Sequence, residues 1–356
     1  MTTNTPLPHS PAAARSSRGR AVALAAVFLI VTLAGLMYVK WWPYYHKAAN
    51  AADTHSIGSS ILGGASSESL SDIARSAYDY SIAYFKSVWK AAVLGLVVSS
   101  MIQALLPANW LAKAFGKASA RSTLIGGAAS LPGMMCSCCA APIAVGMRKR
   151  QASIGASLAF WIGNPTLNPA TLVFMTFVLS WKFTVLRLVF GLILTFGISY
   201  LAERFADRGK LGDLPNRFAI PEEPANRAPL ALRWLKSLAL LFLGIAPIYA
   251  VSVFLAGCLQ SFMLPAWASE GIVAIVLFAV IGTLFVIPTA AEIPIAQSLL
   301  SVGTGPAAAL LLTLPGVSLP SLLIVSRSFP KRVLLFVTLS VMALGVLCGI
   351  AGSLWL

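Results

Sequence analysis

The sequence predicts an all-α integral membrane protein, built as two inverted repeats with discontinuous or re-entrant helices and an extra N-terminal span. Three observations carry that expectation. The 356 residues are 58% hydrophobic and only 10% charged, with a mean hydropathy of +0.83, whereas soluble domains carry about 25% charged residues. Apolar runs of bilayer-crossing length recur between short basic loops. Within those runs, Pro- and Gly-containing interruptions appear in the same order in each half of the chain.

The net charge of +15 would suggest nucleic acid in a soluble protein. Here Lys and Arg collect in the loops between apolar segments, as the positive-inside bias predicts, and there is no basic-aromatic patch. Nucleic acid is therefore excluded as a partner, and the lipid bilayer takes its place. The chain is expected to be a multi-pass protein of the cell inner membrane.

Residues 1–20, with Arg15, Arg18 and Arg20 before the first apolar run, read as a disordered cytoplasmic tail. The run Ala21–Tyr38 closes on Lys40, Trp41, Trp42, Tyr44 and Tyr45, giving a membrane span over 21–45 with an aromatic belt. Ala48-Asn-Ala resembles a signal-peptidase site, but the length of the run and its belt favour an uncleaved anchor. Polar, Ser-rich residues 46–81 read as a periplasmic loop.

The first repeat is expected over 82–203. It opens with a span at 82–106 and a short interfacial helix carrying Trp110, Leu111, Ala114 and Phe115 at helical spacing. Thr123–Met147 is apolar but broken at Leu131-Pro-Gly, and it ends on Arg148-Lys149-Arg150. A full crossing would carry those cations outside, so a re-entrant hairpin satisfies the charge rule better. A stretch at 153–180, broken by Gly163-Asn-Pro-Thr-Leu-Asn-Pro169, and a span at 183–202 follow. Residues 204–232, with charges of both signs and several prolines, read as a cytoplasmic linker. The second repeat, 233–356, contains 234–258, an interrupted stretch at 271–302, then 305–325 and 333–354. The expectation is about seven full spans and two hairpins.

The halves resemble each other at their breaks. Cys136–Ile143 lies over Pro288–Ile295, Gly155 to Pro165 has the spacing of Gly305 to Pro315, and Asn168 falls opposite Ser318. Pro132, Pro142, Pro165, Pro169, Pro288, Pro294 and Pro315 are the expected helix breaks. Proline also kinks ordinary membrane helices, but paired interruptions in opposed halves are the arrangement of many secondary transporters, whose sites lie at mid-membrane.

Cys136, Cys138 and Cys139 place three sulfurs within one turn of backbone. Thiolates prefer soft partners such as copper(I), zinc or trivalent arsenic, and a half-helix beginning near Cys139–Pro142 would favour the thiolate. Mere packing, or a redox pair at Cys136-x-x-Cys139, are the competing readings, although no thioredoxin-like βαβ context is present. Structural zinc lacks ligands, because His9, His46 and His55 all lie in the N-terminal region. Cys258 and Cys348 read as small buried hydrophobes.

Glu292 alone among the acidic residues falls deep in an apolar stretch, which suggests either proton coupling or a structural hydrogen bond. Pseudo-symmetry sets it opposite Ala140, beside the thiols. Asn164, Thr166 and Asn168 sit where Pro165 and Pro169 interrupt the backbone; they would satisfy freed backbone groups or line a cavity, alongside Ser318.

Pro132-x-x-x-Cys136-Ser-Cys-x-x-x-Pro142, then Gly155-Ala-x-x-Ala-Phe160 and Asn164-Pro-x-x-Asn168-Pro, with Glu292-Ile-Pro-Ile in the second half, resembles the predicted-permease family of bacterial inner membranes. That family includes efflux permeases for trivalent organoarsenicals. The resemblance covers roughly 85–354 and implies a non-enzymatic carrier exporting small thiophilic solutes such as methylarsenite, with Cys136 and Cys138 as leading substrate contacts. Cys139 lies outside the shared pattern. A carrier of another solute, such as a sulfur compound or soft metal ion, and a membrane-embedded thiol redox protein are the alternatives. No Gly-x-x-x-x-Gly-Lys motif for ATP and no quinone, haem or flavin signature is present, so no cofactor is expected.

Overall fold

The computed structural model describes residues 11–58, 70–106, 108–208, 229–263 and 271–356. Among them there are helices and connecting turns but no strand. Among the described residues, six stretches are long and apolar enough to cross a membrane: Val22–Thr54, Ser71–Leu105, Trp181–Ala206, Leu230–Cys258, Thr304–Val325 and Lys331–Trp355.

The N-terminal element is longer than expected. Helix α1 (Pro11–Leu36) passes through a π-helical turn, Met37–Trp41, directly into α2 (Trp42–Thr54). Residues 11–20, expected as disordered tail, are thus helical, while residues 1–10 lie outside the described part. Helix α3 (Leu70–Leu105) likewise begins well before residue 82. Residues 46–54 and 70–81, read as loop because they are polar, are helical extensions of membrane helices. A helix that projects beyond lipid no longer needs apolar residues, so polarity alone does not end it. The expected linker is likewise trimmed at both ends, by α10 (Ser199–Arg208) and α11 (Leu230–Met263); residues 209–228 lie outside the described part.

After the short α4 (Ala108–Phe115), α5 (Ala120–Ser130) and α6 (Ser137–Lys149) flank a break. At 11 and 13 residues they reach roughly 17 and 20 Å, too short for a hydrocarbon core of about 30 Å. The Ser153 amide donates to the Phe115 carbonyl at 2.6 Å. The chain therefore leaves the unit where it entered it: this is a hairpin, with its two feet tied together.

Helix α7 (Ile154–Thr166) then runs parallel to α5. A Cβ on Gly126 would stand 2.2 Å from the Ala156 carbonyl oxygen, and one on Gly163 would stand 2.4 Å from Ser130 Oγ. Close helix approach through small residues is the usual packing device in membranes. Ser153 Oγ accepts from Ala156 N at 3.2 Å, and the buried Glu203 carboxylate accepts from Gly155 N, so the N-terminus of α7 is doubly capped.

The stretch 153–180, expected to be interrupted over Gly163–Pro169, is two helices, α7 and α8 (Pro169–Val178), divided at Leu167–Asn168. Asn168 caps α8 by accepting from Ala170 N and Thr171 N at 3.1 and 3.3 Å. Helix α9 (Trp181–Leu192) continues through a π-helical stretch, Ile193–Ile198, into α10.

The second half repeats this order. Helix α11 is followed by α12 (Gly271–Leu284), a break, α13 (Glu292–Leu299), α14 (Thr304–Gly316), α15 (Leu319–Val325) and α16 (Lys331–Trp355). Helices α12 and α14 approach at Gly282–Thr313 and Gly305–Ile275, so they too run parallel. Helices α3 and α11 make the most extensive helix–helix contact, and they run antiparallel, because Gly257 meets Ala77 and Trp234 Nε1 donates to Ser100 Oγ at 2.9 Å.

Some predicted breaks are displaced. Pro142, Pro165 and Pro315 lie inside α6, α7 and α14, and Pro294 sits in the first turn of α13. The half-helix bearing the thiols starts at Ser137, not near Cys139–Pro142. Near a helix end, Pro sacrifices at most one intrahelical bond, so its presence does not fix the boundary.

Candidate functional site

The first break begins with a 3₁₀ turn at Leu131–Gly133. Met134 then adopts the left-handed region at φ 47°, sparsely used by residues with a side chain. Cys136 is extended and occupies the N-cap position of α6 without a side-chain capping bond. Backbone groups exposed by this irregular stretch find partners in neighbouring helices, as they must at membrane depth. Trp41 Nε1 donates to the Pro132 carbonyl at 2.9 Å, Met135 N donates to Asn164 Oδ1 at 3.4 Å, and Trp161 Nε1 donates to the Ser137 carbonyl at 3.0 Å.

Helix spacing sorts the three thiols. Cys136 and Cys139, three residues apart, share a face, and their sulfurs are 3.1 Å apart. Cys138 approaches Cys136 as well, and its sulfur lies 3.2 Å from Ser318 Oγ, which also lies 3.1 Å from Ser137 Oγ. Ser318 in turn caps α15 through a reciprocal arrangement with Ser321. All three thiols are buried and free. The buried hydroxyls of Tyr84 and Tyr249 lie beside Cys138 and Cys139, without a well-aligned hydrogen-bond partner among the described residues.

The second break, Phe285–Ala291, is held by Tyr80, whose hydroxyl donates to the Val286 carbonyl. Ala290 is left-handed at φ 71°, two residues before Glu292 opens α13. Glu292 Oε1 accepts from Arg187 Nη1 at 2.9 Å, with both side chains almost wholly buried. Arg187 also donates to the Thr166 and Pro165 carbonyls at 3.3 and 2.8 Å. It thereby stitches the end of α7 to the start of α13. Glu292 Oε2 has no hydrogen-bond partner among the described residues.

Between the breaks and the N-terminal helix lies a cavity of about 440 Å³, within the range of small-ligand sites. Cys136 and Cys139 reach it from the first break, Pro288–Ala291 from the second, Lys40, Tyr44 and Lys47 from the N-terminal helix, and Lys86 and Lys90 from α3. A second void of about 10 Å³, large enough for roughly one water, lies beyond Cys136 and is lined by Ser137, Pro165, Thr289, Glu292 and Pro315.

The structure thus gathers Cys136, Cys138, Cys139, Ser318, Glu292, Pro165, Pro288, Pro294 and Pro315 around the two breaks. Asn164 and Asn168 serve backbone amides behind them, and Pro132, Pro142 and Pro169 belong to the supporting backbone. Sequence reasoning missed Arg187, Lys40, Ser137, Trp161 and the two tyrosines. Arg187 stood in an apolar run just as Glu292 did, so its signal was present. Among the described residues, no group of three His, Cys, Asp or Glu side chains is disposed to enclose a metal ion.

The fold and this site define a multi-pass helical membrane protein whose interrupted helices converge on a buried, thiol-bearing cavity. The model of a family described as predicted permeases matches residues 73–353, and the chain belongs to that family. It is 46% identical over 329 residues to UPF0718 protein YraQ of Escherichia coli K12, covering 91% of this chain and 93% of that protein. It is 24% identical to UPF0718 protein MJ0584 of Methanocaldococcus jannaschii, covering 74% and 91%. No solved structure matches the chain.

Proposed function

We propose that this protein is a secondary-active permease of the inner membrane that exports small thiophilic solutes past Cys136, Cys138 and Cys139. The carrying observation is the meeting of a solute-sized cavity with two buried thiols at a helix break. Trivalent organoarsenicals are the first candidates, on the family resemblance. The repeated element order and antiparallel α3 and α11 support an inverted-repeat carrier that rocks around this site.

Glu292 is the proposed proton-coupling group. Its pairing with Arg187 sharpens the requirement: protonation sacrifices the ion pair, so coupling proceeds only in a state where that pair has opened.

The test is methylarsenite export from a sensitive host and uptake into everted membrane vesicles. Replacing all three cysteines with serine is expected to abolish transport while leaving the protein folded in the membrane. Full methylarsenite resistance in that variant would remove the thiol role. Transport indifferent both to the proton gradient and to Glu292→Gln would remove the coupling role.

A further inference from the structure

The cavity's charge has a single sign. Lys40, Lys47, Lys86 and Lys90 line it, and no Asp or Glu is among its described lining residues. Lys40 is only 4% exposed. Its ammonium donates to Tyr44 Oη at 3.0 Å and Thr289 Oγ1 at 3.2 Å, both neutral, although it has three protons to give. Of the described lining residues only Tyr44, Cys139 and Cys136 can bear a negative charge toward it, and a buried ammonium is costly to keep without one. The backbone also departs from regularity here: Lys40 falls in the π-helical turn Met37–Trp41, on a helix whose apolar window is otherwise only 11% buried. Such turns occur frequently at functional sites.

Topology offers no competing reason for these lysines. Arg148 and Lys149, by contrast, lie at the other end of the molecule, where Arg148 stacks on Phe329 and Lys149 reaches Gln103. By the positive-inside bias that end is cytoplasmic, so the end bearing Lys40, Lys47, Lys86 and Lys90 is where lysine is least expected.

We infer that the cavity receives a small anion carrying a soft atom of sulfur, selenium or arsenic, with Lys40 as the specificity-determining residue and Lys47, Lys86 and Lys90 concentrating the anion at the mouth. The inference rests on the reading of the cavity as the solute path. The thiols act as polarisable contacts for the soft atom, and no covalent step is involved. A soft metal cation is repelled by the same four lysines.

The experiment uses the full chain in proteoliposomes with three probes: thiosulfate as a soft anion, sulfate as a hard anion of similar shape, and methylarsenite as a neutral soft solute. Saturable thiosulfate uptake is expected, with sulfate a poor competitor. Lys40→Gln is expected to lower thiosulfate uptake about tenfold or more, the loss typical of removing a buried charge from a binding site, while Lys40→Arg retains most of it. Wild-type uptake of methylarsenite that thiosulfate does not compete, together with no thiosulfate uptake, would overturn the anion inference and leave the thiol permease standing. Unimpaired thiosulfate uptake after Cys136→Ser and Cys139→Ser would instead remove the thiol role and leave the anion site standing. The wild-type probe comparison decides the matter even where a Lys40 variant does not fold.

Discussion

At the first break, left-handed Met134 leads into Cys136 and a helix whose opening turn carries thiols. At the second, left-handed Ala290 leads into Glu292 and a helix opened by a carboxylate. In both, a half-length helix enters, the backbone turns through one strained residue, and a short helix leaves. Yet the first break presents soft sulfur groups and the second a carboxylate tied to Arg187. The shared backbone solution leaves the helix-opening side chain free to differ, so two kinds of chemistry can face each other across one site.

The contrast is broken most severely at the charged side. Glu292→Ala leaves Arg187 buried and unpaired, and is expected to cost about 3–5 kcal/mol, read as a large drop in unfolding temperature in detergent. Replacing both Arg187 and Glu292 with Met should recover most of it. A Glu292→Ala protein as stable as the wild type would show that the pair contributes little to the second break.

Next in size is a difference between the helix contacts that brace the two breaks. A Cβ at Gly126 meets the Ala156 carbonyl at 2.2 Å, which is backbone and cannot step aside; a Cβ at Gly282 meets Thr313 Oγ1 at 2.3 Å, which can rotate. Gly126→Ala should cost about 1–3 kcal/mol through overpacking, and Gly282→Ala clearly less. Equal losses would mean that Thr313 is as fixed as the backbone.

The smallest effect concerns the caps. Asn168 and Ser318 open α8 and α15 in corresponding places, but only Ser318 touches the thiols. Each alanine variant should lose about 1 kcal/mol. Only Ser318→Ala should also change the rate at which Cys138 reacts with a small membrane-permeant thiol reagent; the same change in Asn168→Ala would dissolve the distinction.

Much of this scaffold could be read from residue order. Basic residues on both sides of 123–147 implied a hairpin, and the Phe115–Ser153 hydrogen bond closes one. Repeat spacing set Glu292 opposite the thiols, and of these Cys136 lines one small void with it. What escaped has definite causes. Arg187 was averaged into the hydropathy of 183–202. Lys40, beside Trp41 and Trp42, has the signature of an interfacial lysine that snorkels to water, and only a π-turn, which has no clear propensity signal, brings it inward. Residues 46–54 and 70–81 are polar and helical all the same, and composition does not separate a projecting helix from a loop.

The N-terminal helix, which brings Lys40 and Lys47 to the cavity, ends at Thr54, ahead of the family match at residue 73. Both thiols of the cavity and all of the second break lie within that match. One wall of the cavity is therefore encoded in a segment separate from the part that carries the sulfur. Exchanging that helix alone would remove Lys40 and Lys47 from the cavity while leaving Lys86, Lys90 and both thiols in place, so half of the cavity's charge can be varied without touching its sulfur.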